Sequence, residues 1–166
     1  MPISNFVLIS FGSNLGDRAG IIKKAAEIII SKGIVKNTVL SSFYETEPVG
    51  YSPQPWFINS AMKGYSSLDE HTLISKLKEI ETFLGRATRE KWHEREIDID
   101  LLIYGASIID DSLLTIPHPR MHERRFVLIP AAEIAGDFHH PVFGISINEM
   151  LNKCKDQSVV KFKKAS

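Results

Sequence analysis

Two aspartates, Asp98 and Asp100, interrupt an apolar run in the stretch HEREIDIDLLIYG, residues 93–105. Side chains alternate along a strand, so both carboxylates are expected on one face, with their α-carbons roughly 6.5 to 7 Å apart. The alternation places Ile97, Ile99, Leu101 and Ile103 on the other face. Such a pair can hold Mg²⁺, which is bound by one or two carboxylates together with substrate phosphates. The alternative is that both aspartates face solvent on an open sheet.

Cationic residues flank the aspartates on both sides and favour an anionic ligand. The flanking cations are Arg86, Arg89, Lys91 and Arg95 before the pair, and Arg120, Arg124 and Arg125 after it. Arginine and lysine in this arrangement are typical of a polyphosphate site, although solvated loop charges would give the same pattern. His118 is interpreted as a phosphate donor, because Pro119 and the lack of a third ligand argue against a metal pair with His122.

Two further motifs could either bind a ligand or have a purely structural role. GSNLGDR, residues 12–18, lacks the ending of a Walker loop and the spacing of a Rossmann fingerprint, so a structural turn is favoured. QPWFINSAM, residues 54–62, places Phe57 and Asn59 on one strand face. There an aromatic ring could stack on a planar heterocycle while an amide reads its edge, but both could equally be core.

The elements that must position these residues follow the order β-α-β-β-α-β. Residues 6–12 and 34–44 and the stretch from Trp56 to Tyr65 are predicted strands, and a helix follows Asp17. A second helix ends near Gly85 and is preceded by an S-x-x-E capping box at residues 67–70. Gly105 separates the aspartate strand from a short partner in SIIDD. We expect one α+β domain over residues 1–166, a ferredoxin-like sandwich with C-terminal additions and an antiparallel sheet with helices on one face.

Composition narrows the class of protein. The chain has 166 residues, 43% of them hydrophobic, with 20 basic and 20 acidic side chains and a formal net charge of zero. This balance gives no bulk field for nucleic acid or membranes. A single cysteine, Cys154, excludes an internal disulfide and suits a reducing compartment. With no apolar run of membrane-spanning length and no basic leader, a cytoplasmic protein is expected.

Six segments in register resemble the 6-hydroxymethyl-7,8-dihydropterin pyrophosphokinase family of folate biosynthesis. They are GSNLGDR, SSFYETEPVG, QPWFINSA, IETFLGR, REIDIDLLIYG and LTIPHPRMHERRFVLIPAAEIA, and together they span most of the chain. The resemblance implies transfer of pyrophosphate from ATP to the pterin hydroxymethyl group, with release of AMP. It also implies two Mg²⁺ ions held by Asp98 and Asp100, with ATP and the pterin as partners, and a monomer is expected.

The resemblance assigns the site residue by residue. Catalytic roles fall on Asp98, Asp100, Arg86, Arg95 and Arg124. The pterin would contact Thr46, Pro48, Val49, Gly50, Phe57, Asn59, Trp92 and Phe126. ATP would contact Glu81, Arg86, Arg89, Lys91, Trp92, Arg95, Leu101, Thr115, His118 and Arg124. Residues 86–96 would form a lid that closes over the substrates and excludes water.

The chain departs from the family pattern at a few positions. His93 stands where a small residue is usual, Leu113 stands where some relatives have an arginine, and either Thr88 or Arg89 could take the place of a second lid arginine. These departures bear on nucleotide affinity. Two other classes stay open: a D-x-D glycosyltransferase, for which the chain is short, and an RNA-binding or regulatory module, for which aspartates on the sheet are unfavourable.

Overall fold

The computed structural model describes residues 3–48, 54–85 and 96–163. Within those ranges the elements are β1 Asn5–Ser13, α1 Arg18–Ser31, β2 Lys36–Leu40, β3 Phe43–Thr46, β4 Phe57–Ser66, α2 Glu70–Phe83, β5 Asp98–Tyr104, β6 Ile109–Asp110, β7 Thr115–Ile116, a 3₁₀ turn Met121–Glu123, α3 Arg125–Ala135, α4 Ile147–Lys153 and β8 Val160–Lys163. Among these helices, none combines the length and the apolar character needed to cross a bilayer.

A six-stranded antiparallel sheet organises the described residues, and β6 and β7 form a separate two-stranded sheet. The six strands lie in the order β5-β1-β4-β3-β8, with β2 also paired to β4. The expected α+β fold with an antiparallel sheet is confirmed. Two details differ: the strand predicted over residues 34–44 is divided into β2 and β3, and SIIDD pairs as β6 with β7 rather than with β5.

The strand β1 has buried side chains on both of its faces. Val7, Ile9 and Phe11 pack with residues of α1 and α2 in one core cluster. Leu8 packs with residues of α3 and α4 in a second cluster on the opposite face. The two helices of the predicted β-α-β-β-α-β unit therefore share one face, and the C-terminal additions cover the other with helices of their own.

A β-bulge in β5 changes the predicted alternation. Ile9 pairs with Leu101 and Leu8 pairs with Ile103, so Leu102 is the extra residue. Leu101 stays with the α1 and α2 cluster, whereas Ile103 joins the α3 and α4 cluster. The prediction that Ile103 shares a face with Leu101 was therefore wrong, because the bulge reverses the alternation after Leu102.

The first two helices begin at aspartate caps. The Asp17 carboxylate accepts from Gly20 N–H at 3.1 Å, and the Asp69 carboxylate accepts from Thr72 N–H at 2.7 Å. The prediction of a capping box at residues 67–70 was wrong, since Asp69 and not Ser67 is the N-cap of α2. Gly33 ends α1 at φ +67°, a left-handed conformation that favours glycine.

Helix α3 depends on hydrogen bonds to residues outside the helix. Its N-cap residue Arg124 makes no side-chain capping bond, and Pro130 lies inside the helix. In the last turn of the helix, Glu133 accepts from Ser42 N–H and from the Tyr44 hydroxyl, the latter at 2.6 Å. Burial and this contact raise the pKa of Tyr44 to about 12, so its hydroxyl stays a donor. These bonds fix α3 against β3.

Replacing the cap of α2 should distinguish the structure from the capping-box prediction. Asp69→Ala removes the acceptor of Thr72 N–H and is expected to lower the urea midpoint of unfolding, while Ser67→Ala leaves it unchanged. The Thr72 N–H bond holds the pKa of Asp69 below its usual value. Its stabilisation is therefore present above the unfolded-state pKa and is lost as the pH falls through the folded-state pKa. A larger loss for Ser67→Ala would contradict the observed cap.

Candidate active site

The floor of a cleft is formed where β1 lies between β4 and β5. Gly12 pairs with Asn59 on one side and with Asp98 on the other, and Ser10 pairs with Asp100. Directly paired residues in an antiparallel ladder share a face. The two carboxylates are therefore on one face, as predicted, and that face is shared with Asn59 and with the cluster under α3.

Gly12 leaves room for the amide of Asn59. A Cβ placed at Gly12 would lie 2.9 Å from Asn59 Oδ1 and 3.7 Å from Phe57. The other end of the amide is fixed, because Asn59 Nδ2 donates to Thr46 Oγ1 at 2.6 Å and both residues are buried. With its NH₂ group engaged, the Asn59 oxygen faces the open floor as an acceptor.

GSNLGDR supports the wall of the cleft that carries Phe57. Asn14 Nδ2 donates to Gln54 Oε1 at 3.0 Å and to the Pro55 carbonyl at 3.2 Å. Arg18 donates to Glu45 at 2.8 Å and to the Trp56 carbonyl at 2.9 Å. Because these bonds secure residues 54–56 next to β3, the structural interpretation of this motif is supported.

The opposite wall is the N-terminal end of α3, with Arg124 and Phe126. The guanidinium carbon of Arg124 is 5.9 Å from the centre of the Phe126 ring, within cation–π range. Burial and the positive charge of Arg120 lower the pKa of Arg124, while Asp100, Glu123 and Asp98 raise it. An arginine remains charged under these conditions, so a fixed positive charge lies near both aspartates.

His118 is a neutral donor near this wall. Its backbone N–H donates to the carbonyl of the bulge residue Leu102 at 2.9 Å. Burial, with the charges of Arg124 and Arg120, lowers the pKa of His118 to about 4, so the ring is neutral at pH 7. Because Nδ1 accepts from Arg120 N–H at 3.1 Å, the ring proton is assigned to Nε2. The predicted donor chemistry is therefore available at Nε2.

The walls enclose a cleft of about 590 Å³. Its lining includes predicted site residues, namely Thr46, Phe57, Asn59, Asp98, Asp100, Arg124 and Phe126. The lining also contains residues that sequence reasoning did not assign, namely Ser10, Gly12, Glu47, Gln54, Glu123, Val127, Asp156 and Ser158. A glycine inside a strand was the available signal for Gly12, because it often marks a close approach of a ligand or a neighbouring chain.

Some predicted residues lie away from this lining. The Leu101 side chain is buried in the α1 and α2 cluster, on the other face of β5. Glu81 is also buried, and its Oε2 accepts from Ile99 N–H at 2.6 Å, which satisfies a donor on the edge strand. Thr115 lies in β7 and donates to Asp110, and Pro48 follows β3. The side chains of Leu101 and Glu81 therefore have structural roles here.

Several predicted positions lie outside the described residues. They are Val49 and Gly50 of the pterin set, the cations Arg86, Arg89, Lys91 and Arg95, the aromatic Trp92, and the departures Thr88 and His93. The predicted lid falls almost entirely on the same stretch. Their assignments stay predictions.

The donor set of the cleft suits a cation that is shared with a ligand. Among the described residues, no group of three or more histidine, cysteine, aspartate or glutamate side chains could hold a metal ion by itself. Asp98 and Asp100 provide two hard oxygen donors on one face. This matches Mg²⁺, which usually takes one or two carboxylates and completes its coordination with water and phosphate oxygens.

Comparison with known proteins gives a consistent family. A model of the 7,8-dihydro-6-hydroxymethylpterin-pyrophosphokinase (HPPK) family matches residues 8–136. A 2-amino-4-hydroxy-6-hydroxymethyldihydropteridine pyrophosphokinase of Bacillus subtilis is 40% identical over 132 residues, covering 80% of this chain and 79% of that protein. The Haemophilus influenzae protein of the same name is 36% identical over 153 residues, covering 92% of this chain and 95% of that one.

Longer proteins contain a similar region. A folic acid synthesis protein of Pneumocystis carinii is 42% identical over 92% of this chain, which spans 20% of that protein. The solved structure of wild-type Plasmodium falciparum HPPK-DHPS with pteroate has a TM-score of 0.69 at 15% identity, over 91% of this chain and 42% of that one. The structural likeness shows the fold, and the sequence matches show the family: this chain belongs to the 7,8-dihydro-6-hydroxymethylpterin-pyrophosphokinase family.

Proposed function

We propose that the cleft over Gly12 is the site at which this chain performs the reaction of its family. That reaction transfers pyrophosphate from ATP to the hydroxymethyl group of 6-hydroxymethyl-7,8-dihydropterin and releases AMP, a step of folate biosynthesis. One observation carries the assignment to this cleft. An amide and an aromatic wall suited to a planar heterocycle lie across Gly12 from a pair of carboxylates suited to Mg-ATP.

The pterin half of the cleft lies between Phe57 and Phe126. A flat ring system can stack against aromatic side chains, and the Asn59 oxygen can accept a hydrogen bond from a pterin N–H. Thr46 keeps that amide in one orientation. Stacking and edge recognition together orient the ring, so that its hydroxymethyl group points along the floor toward Asp98.

The phosphate half lies over Asp98 and Asp100. We assign two Mg²⁺ ions to these carboxylates when ATP is bound, where they supply charge neutralisation and alignment of the phosphates. Arg124 contributes a fixed positive charge beside the same carboxylates, and His118 offers its neutral Nε2–H to a phosphate oxygen. Arg86, Arg95 and the other cations of residues 86–95 are assigned to ATP from the family resemblance.

At the β-phosphorus, the chemical step forms one bond and breaks one. The hydroxymethyl oxygen attacks the β-phosphorus, and the bond from that phosphorus to the oxygen bridging it to the α-phosphorus breaks. AMP leaves with the bridging oxygen, and the hydroxyl proton is released. Asp98 holds the hydroxyl by accepting its hydrogen bond, so the protein's contribution is orientation and electrostatic stabilisation.

Product analysis tests the reaction directly. The full chain with Mg-ATP and 6-hydroxymethyl-7,8-dihydropterin is expected to form AMP and a pterin pyrophosphate in equal amounts, measured by chromatography. Formation of ADP would contradict pyrophosphate transfer, because it requires attack at the γ-phosphorus.

Removing either carboxylate should abolish most turnover and the magnesium dependence of ATP binding. Asp98→Asn and Asp100→Asn each retain the side-chain shape and lose a charge, and we expect kcat/KM to fall roughly a hundredfold or more, since metal stabilisation contributes several kcal/mol. Calorimetry of ATP binding with and without Mg²⁺ gives a second readout. Asp137→Asn, an exposed aspartate beyond α3, is the matched control with activity unchanged. Magnesium-dependent binding that persists in both variants would refute the metal assignment.

Adding a methyl group to the floor should affect the pterin more than ATP. In Gly12→Ala the new Cβ would lie 2.9 Å from Asn59 Oδ1 and must displace the amide. We expect the KM for the pterin to rise by roughly tenfold, the scale of one lost hydrogen bond in a closed site, with little change in the KM for ATP. Gly12→Ser should be more severe. Equal pterin KM values in the wild type and both variants would contradict the role of this floor.

A further inference from the structure

The last described segment of the chain, residues 154–163, connects the two walls of the cleft; we call it the C-terminal strap. It begins after α4 and ends in β8, which pairs with β3 from Thr46↔Val160 to Phe43↔Lys163. The match to the family model ends at residue 136, so the strap lies beyond the residues that the family model covers. The assigned site residues all lie before it.

On the α3 side, the strap contributes Asp156. Its Oδ2 accepts from the backbone N–H of Arg125 at 3.0 Å, the first residue of α3. Its Oδ1 accepts from the Ser158 N–H at 2.9 Å and from the Ser158 hydroxyl. Burial alone would raise the pKa of Asp156, but these hydrogen bonds outweigh burial and hold the pKa below its usual value. Asp156 is thus an ionised carboxylate fixed at the start of a helix.

Helix α3 needs this external acceptor more than an ordinary helix does. Arg124, at the N-cap position, makes no side-chain capping bond, and the first turn contains no acidic residue. Pro130 has no N–H, so the helical bond that would reach the Phe126 carbonyl is missing. Asp156 therefore supplies both the capping acceptor and the negative charge that favour the N-terminal end of a helix.

On the other side, the strap contacts the wall formed by β3 and Trp56. Val159 N–H donates to Glu47 Oε1 at 2.8 Å, and Glu47 N–H donates to the Val159 carbonyl at 3.3 Å. Lys161 Nζ lies 5.4 Å from the centre of the Trp56 ring. Only two residues lie between Asp156 and Val159 along the chain, so this short segment sets the distance between the walls carrying Phe126 and Thr46.

We propose that Asp156 is a positioning residue for the pterin, acting through the first turn of α3 to hold Phe126 over the cleft. This inference rests on the proposed function for its ligand and adds a residue that the family-model match does not cover. Removing the carboxylate frees the Arg125 N–H, and the first turn, already lacking the bond at Pro130, loses its fixed position. Phe126 and Arg124 then lose their alignment with the floor.

The kinetic test is a double-mutant cycle between Asp156 and Phe126. Asp156→Ala is expected to raise the KM for the pterin roughly five- to tenfold, the scale of a lost helix cap. Asp156→Asn keeps an acceptor for the Arg125 N–H and should recover most of that loss. In the Phe126→Ala background, Asp156→Ala should add little to the pterin KM, because it acts through the ring already removed. Asp137→Ala, beyond the other end of α3, is the control with an unchanged pterin KM.

Amide hydrogen exchange supplies a readout that does not need turnover. In Asp156→Ala, exchange at residues 125–128 is expected to accelerate, while exchange in β1 stays as in the wild type. A lower melting temperature with unchanged pterin KM, or fully additive effects in the cycle, would overturn the positioning role. Unchanged exchange at residues 125–128 would overturn it whether or not AMP is formed. A wild type that forms no AMP, with accelerated exchange in the variant, would refute the proposed function and leave the contact of Asp156 with α3 standing.

Discussion

The close approach of three strands at Gly12 is the constraint on which the rest of the site depends. Asn59 and Asp98 lie on either side of Gly12, on β4 and β5, and any side chain on β1 at this point would occupy the space between them. Under the proposed function, recognition of the heterocycle and binding of its phosphate donor would be separated by one intervening strand. Since neighbouring strands lie about 4.8 Å apart, Asn59 and Asp98 lie roughly two such spacings apart, and the two substrates would meet over the strand between them.

The bulge at Leu102 connects the sheet to the wall of the cleft that α3 forms. Regular alternation would send the Ile103 side chain to the face of α1 and α2, but it packs with α3 and α4. The Leu102 carbonyl accepts from His118 N–H, which fixes the position of a ring whose burial keeps it neutral. The irregular residue in β5 thus holds a histidine that interacts with Arg120 and Arg124, in keeping with the common association of bulges with functional sites.

The sequence was sufficient for the sheet, its helices and the shared face of the aspartates, because these depend on local periodicity and on residues close together in the chain. The family resemblance supplied the site assignments, of which Phe57, Asn59 and Phe126 do lie around one cleft.

Periodicity failed at Ile103, since a bulge leaves no composition signal. The S-x-x-E pattern at residues 67–70 failed for a different reason: Asp69, a competing cap two residues later, holds the Thr72 N–H instead. The contacts of Asp156 with Arg125 and of Glu133 with Ser42 join residues far apart in sequence, and no local pattern indicates them.

The C-terminal strap shows why a site can depend on residues outside the motifs that identify it. The motifs place the residues of the proposed site on β1, β4, β5 and the start of α3, but they leave α3 without a cap of its own and with a missing bond at Pro130. Such a helix end is marginal by itself, because unpaired N–H groups and a lost bond fall in the same turn. The Asp156 carboxylate supplies the missing cap by accepting from the Arg125 N–H, and β8 fixes that carboxylate relative to Thr46. The strap needs only a hydrogen-bond acceptor beside the Arg125 N–H and a strand paired with β3, so many sequences could provide it. A pattern built on the shared motifs would then end before it, as the family match at residue 136 does.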